Sequence, residues 1–145
     1  MRSSKKLQPV ANLAKLNERS AAKLHGSVLR ELQKQENQLN ELINYRNQYL
    51  DAFKTASEAG LSAIQMQDYR IFLQRLDDAI EQQQQNVING RQNTQSSQAK
   101  WMDTRNQSKM INKVVENRQQ LENQKVEKRE QRELEDRPHK GLKNR

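Results

Sequence analysis

Residues 29–53 read LRELQKQENQLNELINYRNQYLDAF, and their spacing decides the fold. Steps of three and four from Leu29 reach Leu32, Glu36, Leu39, Ile43, Arg46, Leu50 and Phe53, and six of these eight positions are apolar. That is the pattern of a helix burying one narrow stripe against another helix. Upstream, Val10, Leu13, Leu16, Leu24 and Val28 continue the apolar face in a shifted phase, which changes the local supercoil without ending the helix. Gly26 sits near this slip and weakens the helix by about 1 kcal/mol relative to alanine. No proline lies between Pro9 and Pro138. Pro9 suits a first turn, where its missing N–H is not needed, so a first helix is expected over about residues 10–58.

Downstream, Gly60 is a natural helix stop, because glycine accepts the left-handed conformation that closes helices. Ser62 precedes Gln65 by three, the spacing of a capping box that starts a new helix. A turn at about 59–62 and a second helix over about 63–136 follow. A connection this short makes the helices antiparallel. The second helix carries Met66, Tyr69, Leu73, Leu76, Ile80, Gln83 and Val87 in heptad register, turns polar at Gly90, Thr94 and Ser97, and regains apolar residues at Trp101, Ile111 and Val115. The glutamine run Gln82 to Gln85 reads as exposed helix surface. The fold class is therefore all-α: an antiparallel two-helix coiled coil, a long helical hairpin.

If Phe53 faces Met66, Val10 falls opposite Lys109 and Met110, where the first helix has run out. Roughly 27 further residues would then extend alone for about 40 Å at 1.5 Å per residue. Residues 1–9 are expected to be a basic disordered N-terminus, and 138–145 a disordered basic tail.

Composition agrees with a thin interior. Of 145 residues only 32% are apolar and 4% aromatic, against about 45–50% apolar in an average globular domain. A compact core is hard to fill from this, whereas an interhelical stripe needs only about two residues in seven. The absence of cysteine excludes disulfides and thiolate metal sites and fits a reducing compartment. No apolar run approaches the roughly 20 residues that span a bilayer. Met1 to Lys6 lacks the apolar region of a secretory signal. A cytoplasmic protein, in part at a membrane face, is expected.

Catalytic chemistry is not legible. The four glycines are isolated at 26, 60, 90 and 141, so no phosphate-binding loop is present. His25 and His139 are the only histidines; neither forms a metal pair or belongs to a nucleophilic triad. Carboxylates are scattered over exposed helix faces. No enzyme, cofactor or small-molecule substrate is expected. The net charge of +8 favours contact with nucleic acid, anionic lipid or acidic protein, but acidic residues are interleaved with the basic ones.

A two-helix stripe does not need every apolar residue present. Gln38, Leu42, Tyr45 and Tyr49 share a flank of the first helix, and Phe72, Leu76, Ala79 and Gln83 share one of the second. In the hairpin register Gln38 pairs with Ala79, Leu42 with Leu76, and Tyr45 with Phe72. The two flanks thus make one surface near the turn. It reads either as a wider stripe with tyrosine rings laid over it, or as a docking patch for another protein.

The segments Leu39-Asn-Glu-Leu-Ile-Asn-Tyr-Arg-Asn-Gln-Tyr49 and Tyr69-Arg-Ile-Phe-Leu-Gln-Arg-Leu-Asp-Asp-Ala-Ile-Glu-Gln82 resemble the FliJ family, a small coiled-coil component of the bacterial flagellar type III protein export apparatus. Length, turn position and a polar C-terminal helix are similar too. The resemblance implies a hairpin like the central stalk of rotary ATPases, whose termini enter the flagellar export ATPase ring and favour its assembly and activity. It also implies contact with the cytoplasmic domain of the membrane-embedded export gate, and handling of export chaperones. The family's gate-binding patch maps onto Gln38, Leu42, Tyr45, Tyr49, Phe72, Leu76 and Ala79. Its last position, histidine in other members, is Gln83 here, which keeps hydrogen bonding and removes titration. Peripheral association with the cytoplasmic face of the inner membrane at the flagellar base, and no nucleic-acid partner, follow from the same resemblance. Two other functions compete: a basic hairpin binding RNA or the ribosome, and a scaffold coiled coil without an ATPase partner.

Overall fold

A computed structural model describes residues 3–137. Two helices, α1 (Ser3–Ala59) and α2 (Ala63–Asp136), pack against each other as a hairpin, with no strand among the described residues. The turn follows the local chemistry. Gly60 adopts φ 97°, a left-handed conformation that side-chain-bearing residues resist, and its N–H donates to the Ser57 carbonyl at 3.2 Å. Ser62 and Gln65 then form a reciprocal cap. The Ser62 N–H donates to Gln65 Oε1 and the Gln65 N–H to Ser62 Oγ, each at 3.1 Å, so two otherwise orphaned donors at the start of α2 are satisfied.

The chain divides into two compact units, residues 22–100 and residues 3–21 with 101–137. In the unit around the turn, Leu32, Leu39, Ile43, Leu50 and Phe53 of α1 are half-buried, while Leu76 and Val87 of α2 are buried. Leu29 departs from expectation: it is 44% exposed, and Val28 turns inward instead. The phase slip therefore reaches Leu29, with regular heptad register resuming at Leu32. The charged positions in the stripe have partners across it, since Arg46 pairs with Asp77 and Glu36 with Arg91 at 3.8 Å. Both pairs are partly exposed and so contribute little stability; they let charged residues occupy stripe positions. At Gly90 the helices approach closely, because a Cβ there would lie 3.1 Å from Leu32 Cδ1 and 3.7 Å from its Cα. Farther along, His25 Nδ1 lies 2.7 Å from Ser97 Oγ, whose own proton goes to the Thr94 carbonyl.

The other unit corrects three expectations. Helix α1 begins at Ser3, not near residue 10, and Pro9 lies inside it; residues 3–9 are helical. The proline removes one internal hydrogen bond, but contacts across the pair hold the turn before it. The Ser4 N–H and Oγ donate to the two carboxylate oxygens of Glu122 at 3.0 and 2.7 Å, and Arg118 donates to Ser3 Oγ. Glu122 thereby caps a free N–H of α1, where a negative charge also suits the helix dipole.

Second, because Ser4 already meets Glu122, the part of α2 beyond the described residues of α1 shrinks to roughly fourteen residues, about 21 Å. Third, Val10, Leu13 and Leu16 do not face inward, being 46–58% exposed, and in the unit 22–100 Leu24 is 50% exposed as well. In the unit 3–21 with 101–137, α1 buries Ser4, Ala11, Ala14 and Ala21 instead. On α2 of the same unit Trp101 and Ile111 are half-buried and Ser108 and Val115 are buried, and small side chains on α1 allow close helix approach. The expectations for Met1, Arg2 and the basic tail from Pro138, including His139, lie outside the described residues.

Candidate protein-docking site

The flanks singled out near the turn come together on the two helices of the unit 22–100. Tyr45 and Phe72 meet edge to face, with centroids 6.1 Å apart and planes at 78°. Tyr49 lies 4.4 Å from Phe72 and 5.2 Å from Tyr69, and Phe53 lies 5.1 Å from Tyr69. Offset and edge-on aromatic pairs contribute about 0.5–1.5 kcal/mol each beyond the area they bury. Five rings therefore form one cluster bridging the helices just before and after the turn.

The eight candidate residues lie at three depths. Gln38, Tyr45 (49% exposed) and Ala79 face outward, Leu42, Tyr49 and Phe72 are half-buried, and Leu76 and Gln83 are buried. The last two support the patch from beneath. Leu76 supplies apolar bulk, and Gln83 locks the helices together. The Gln83 side-chain amide donates to the Gln35 backbone carbonyl at 2.9 Å and to Gln35 Oε1 at 2.7 Å, with a longer contact of 3.5 Å to Gln38. Its carbonyl oxygen accepts from Asn86 Nδ2 at 3.2 Å. A buried amide with both ends satisfied fixes register at little cost.

Gln38, Glu41, Leu42, Tyr45 and Gln83 line an open groove of about 400 Å³. Glu41 was not singled out in the sequence, where a lone carboxylate on a polar face carries no signal. Ile64 and Ile71, exposed by 74% and 46% near the turn, add apolar surface; their apolar character was the available signal. The Tyr49 hydroxyl is pushed above its ordinary pKa by burial, with smaller contributions from Tyr69, Tyr45 and Asp68. The ring thus stays neutral and able to donate. The surface is aromatic, half-wet and uncharged at its centre, the character of contacts that carry binding energy between proteins.

Comparison with known proteins agrees on one family. Residues 3–136 match the family model described as "Flagellar FliJ protein". The flagellar FliJ protein of Escherichia coli (strain K12) is 33% identical over 81 residues, covering 56% of this chain and 55% of that protein. The flagellar FliJ protein of Salmonella typhi is 36% identical over 76 residues, 52% of each chain. The chain spans about half the length of the curated relatives it matches. With a family match across almost every described residue and the helical hairpin in place, the chain belongs to the flagellar FliJ protein family.

Proposed function

We propose that this protein is a non-catalytic stalk and adaptor of the flagellar type III export machine. It promotes assembly and activity of the export ATPase ring, couples the ring to the export gate, and escorts export chaperones. The energy of ATP hydrolysis belongs to the ring; a partner without a nucleotide site acts by binding some ring states better than others. The observation that carries the reading is the aromatic patch: Tyr45 stands half-exposed, edge-on to Phe72, with exposed Ile64 and Ile71 nearer the turn. That surface is suited to docking on the cytoplasmic domain of the gate. None of the described helices is long and apolar enough to cross a membrane, and in this proposal the chain works at the cytoplasmic face through its protein partners.

The ring half of the proposal is tested by titrating the full chain into the matching export ATPase. The expected outcome is a rise in ATP hydrolysis that saturates at a substoichiometric ratio of chain to ATPase subunits, as one stalk serves one ring. A rate flat at every ratio contradicts it.

A further inference from the structure

The groove beside Tyr45 combines apolar walls with oxygen acceptors. Leu42 and the Tyr45 ring supply the walls, while Gln38, Glu41 and Gln83 bring polar ends. The Gln83 amide is already engaged by Gln35 and Asn86. Gln38 Oε1 receives only the long 3.5 Å contact from Gln83, so its lone pairs stay available. Glu41 is the one charged residue of the five. Among the described residues it forms no hydrogen bond and no ion pair.

The sequence around Glu41 explains its isolation. Its neighbours one helical turn away are Asn37, Gln38, Asn44 and Tyr45, and none is a cation. Lys34 stands about 10 Å back along α1, and Arg46 is held by Asp77. On α2, exposed Arg75 lies one position before buried Leu76, on the flank that carries Phe72 and Ala79. Glu41, however, is rotated by about 200° from half-buried Ile43. It therefore stands at the edge of the groove turned away from α2, and no ion pair joins it to Arg75.

We propose that this groove receives a lysine or arginine side chain of the docked protein, with its charged head at Glu41 and its aliphatic stem along Leu42 and the Tyr45 ring. The inference rests on the docking reading above. A partner that covers Tyr45 also covers Glu41, its neighbour one turn away in the same groove. Covering strips water from the carboxylate, and a carboxylate with neither water nor counter-charge is strongly unfavourable. Because α1 offers no cation within reach, the partner must bring one. A basic side chain suits every feature of the groove. Its head donates to the carboxylate and to Gln38 Oε1, its stem covers apolar surface, and its charge is favoured beside an aromatic ring. Glu41 thus determines specificity, since an acidic or wholly apolar partner surface leaves its carboxylate unpaired.

Calorimetric titration of the purified cytoplasmic domain of the export gate with full-chain variants tests the inference, with circular dichroism to monitor helicity. Glu41→Gln should weaken binding at least about tenfold and flatten its dependence on salt between about 50 and 500 mM NaCl. The same loss is expected when Arg75→Gln is already present. Glu41→Lys should weaken binding further, and reversing one lysine or arginine of the gate domain to glutamate should restore it. The inference fails, with the docking reading intact, if Tyr45→Ala with Phe72→Ala abolishes binding while Glu41→Gln binds like the parent chain. It also fails if the Glu41→Gln loss vanishes alongside Arg75→Gln, which makes Arg75 the counter-ion, or if no reversal on the gate domain rescues Glu41→Lys. A parent chain that does not bind, or an aromatic double variant that binds undiminished, removes the docking reading and this inference together.

Discussion

Single side chains account for much of how these helices meet. Gly90 has no Cβ because Leu32 occupies that space, at 3.1 Å from where the atom would sit. Gly26 has no such reason, since a Cβ there would meet only the mobile guanidinium of Arg30 at 3.5 Å. Gly90→Val is therefore expected to lower unfolding free energy by about 1–3 kcal/mol through overpacking. Gly26→Ala should raise it by up to about 1 kcal/mol through helix propensity. Urea titrations of the two variants should move in opposite directions. Tyr49 gives a pH dependence of definite sign. Its folded-state pKa is raised by burial, so folding favours the neutral phenol and its contribution is complete below the unfolded value near 10. It is lost as pH rises through the higher folded value. Thermal unfolding followed from pH 9 upward should show stability falling in the parent chain, with a shallower fall in Tyr49→Phe.

At the scale of the element, the turn follows from three residues. Gly60 closes α1, and Ser62 with Gln65 opens α2. Ser62→Ala should cost about 1 kcal/mol and speed amide exchange in the first turn of α2, while leaving exchange in the middle of the helix unchanged. Both the glycine stop and the box were legible in the sequence, because they depend on neighbours in the chain. The start of α1 was not. Pro9 is a sound local signal for a first turn, but the decisive partner is Glu122, far away in sequence, whose carboxylate caps Ser4. The inward face of α1 was misread near its start for a related reason. Hydrophobicity points to Val10, Leu13 and Leu16, whereas the buried positions are the small residues Ala11, Ala14 and Ala21. Heptad spacing identifies a stripe well where its residues are large, as at Leu39, Ile43, Leu50 and Phe53, and poorly where helix approach selects alanine and serine.

For the molecule as a whole, the hairpin architecture was legible from periodicity and the short connection, and so was the meeting of Tyr45 with Phe72 across it. The depth of the patch was not. Leu76 and Gln83 lie on the right helix flank, yet are buried at 7% and 8% exposure; the distance between helices, which periodicity does not encode, decides that. The network of Gln83 with Gln35 and Asn86 likewise required coordinates. These depths divide the labour among the eight residues. In the proposed docking role Tyr45 and Phe72 would offer surface to a partner, while Leu76 and Gln83 hold that surface in shape. The most direct test is calorimetric titration of the purified cytoplasmic domain of the export gate with the parent chain and with Tyr45→Ala combined with Phe72→Ala. The account predicts saturable binding by the parent and at least a tenfold weaker affinity, about 1.4 kcal/mol, for a double variant whose helicity is unchanged. Undiminished binding by a folded double variant would contradict it.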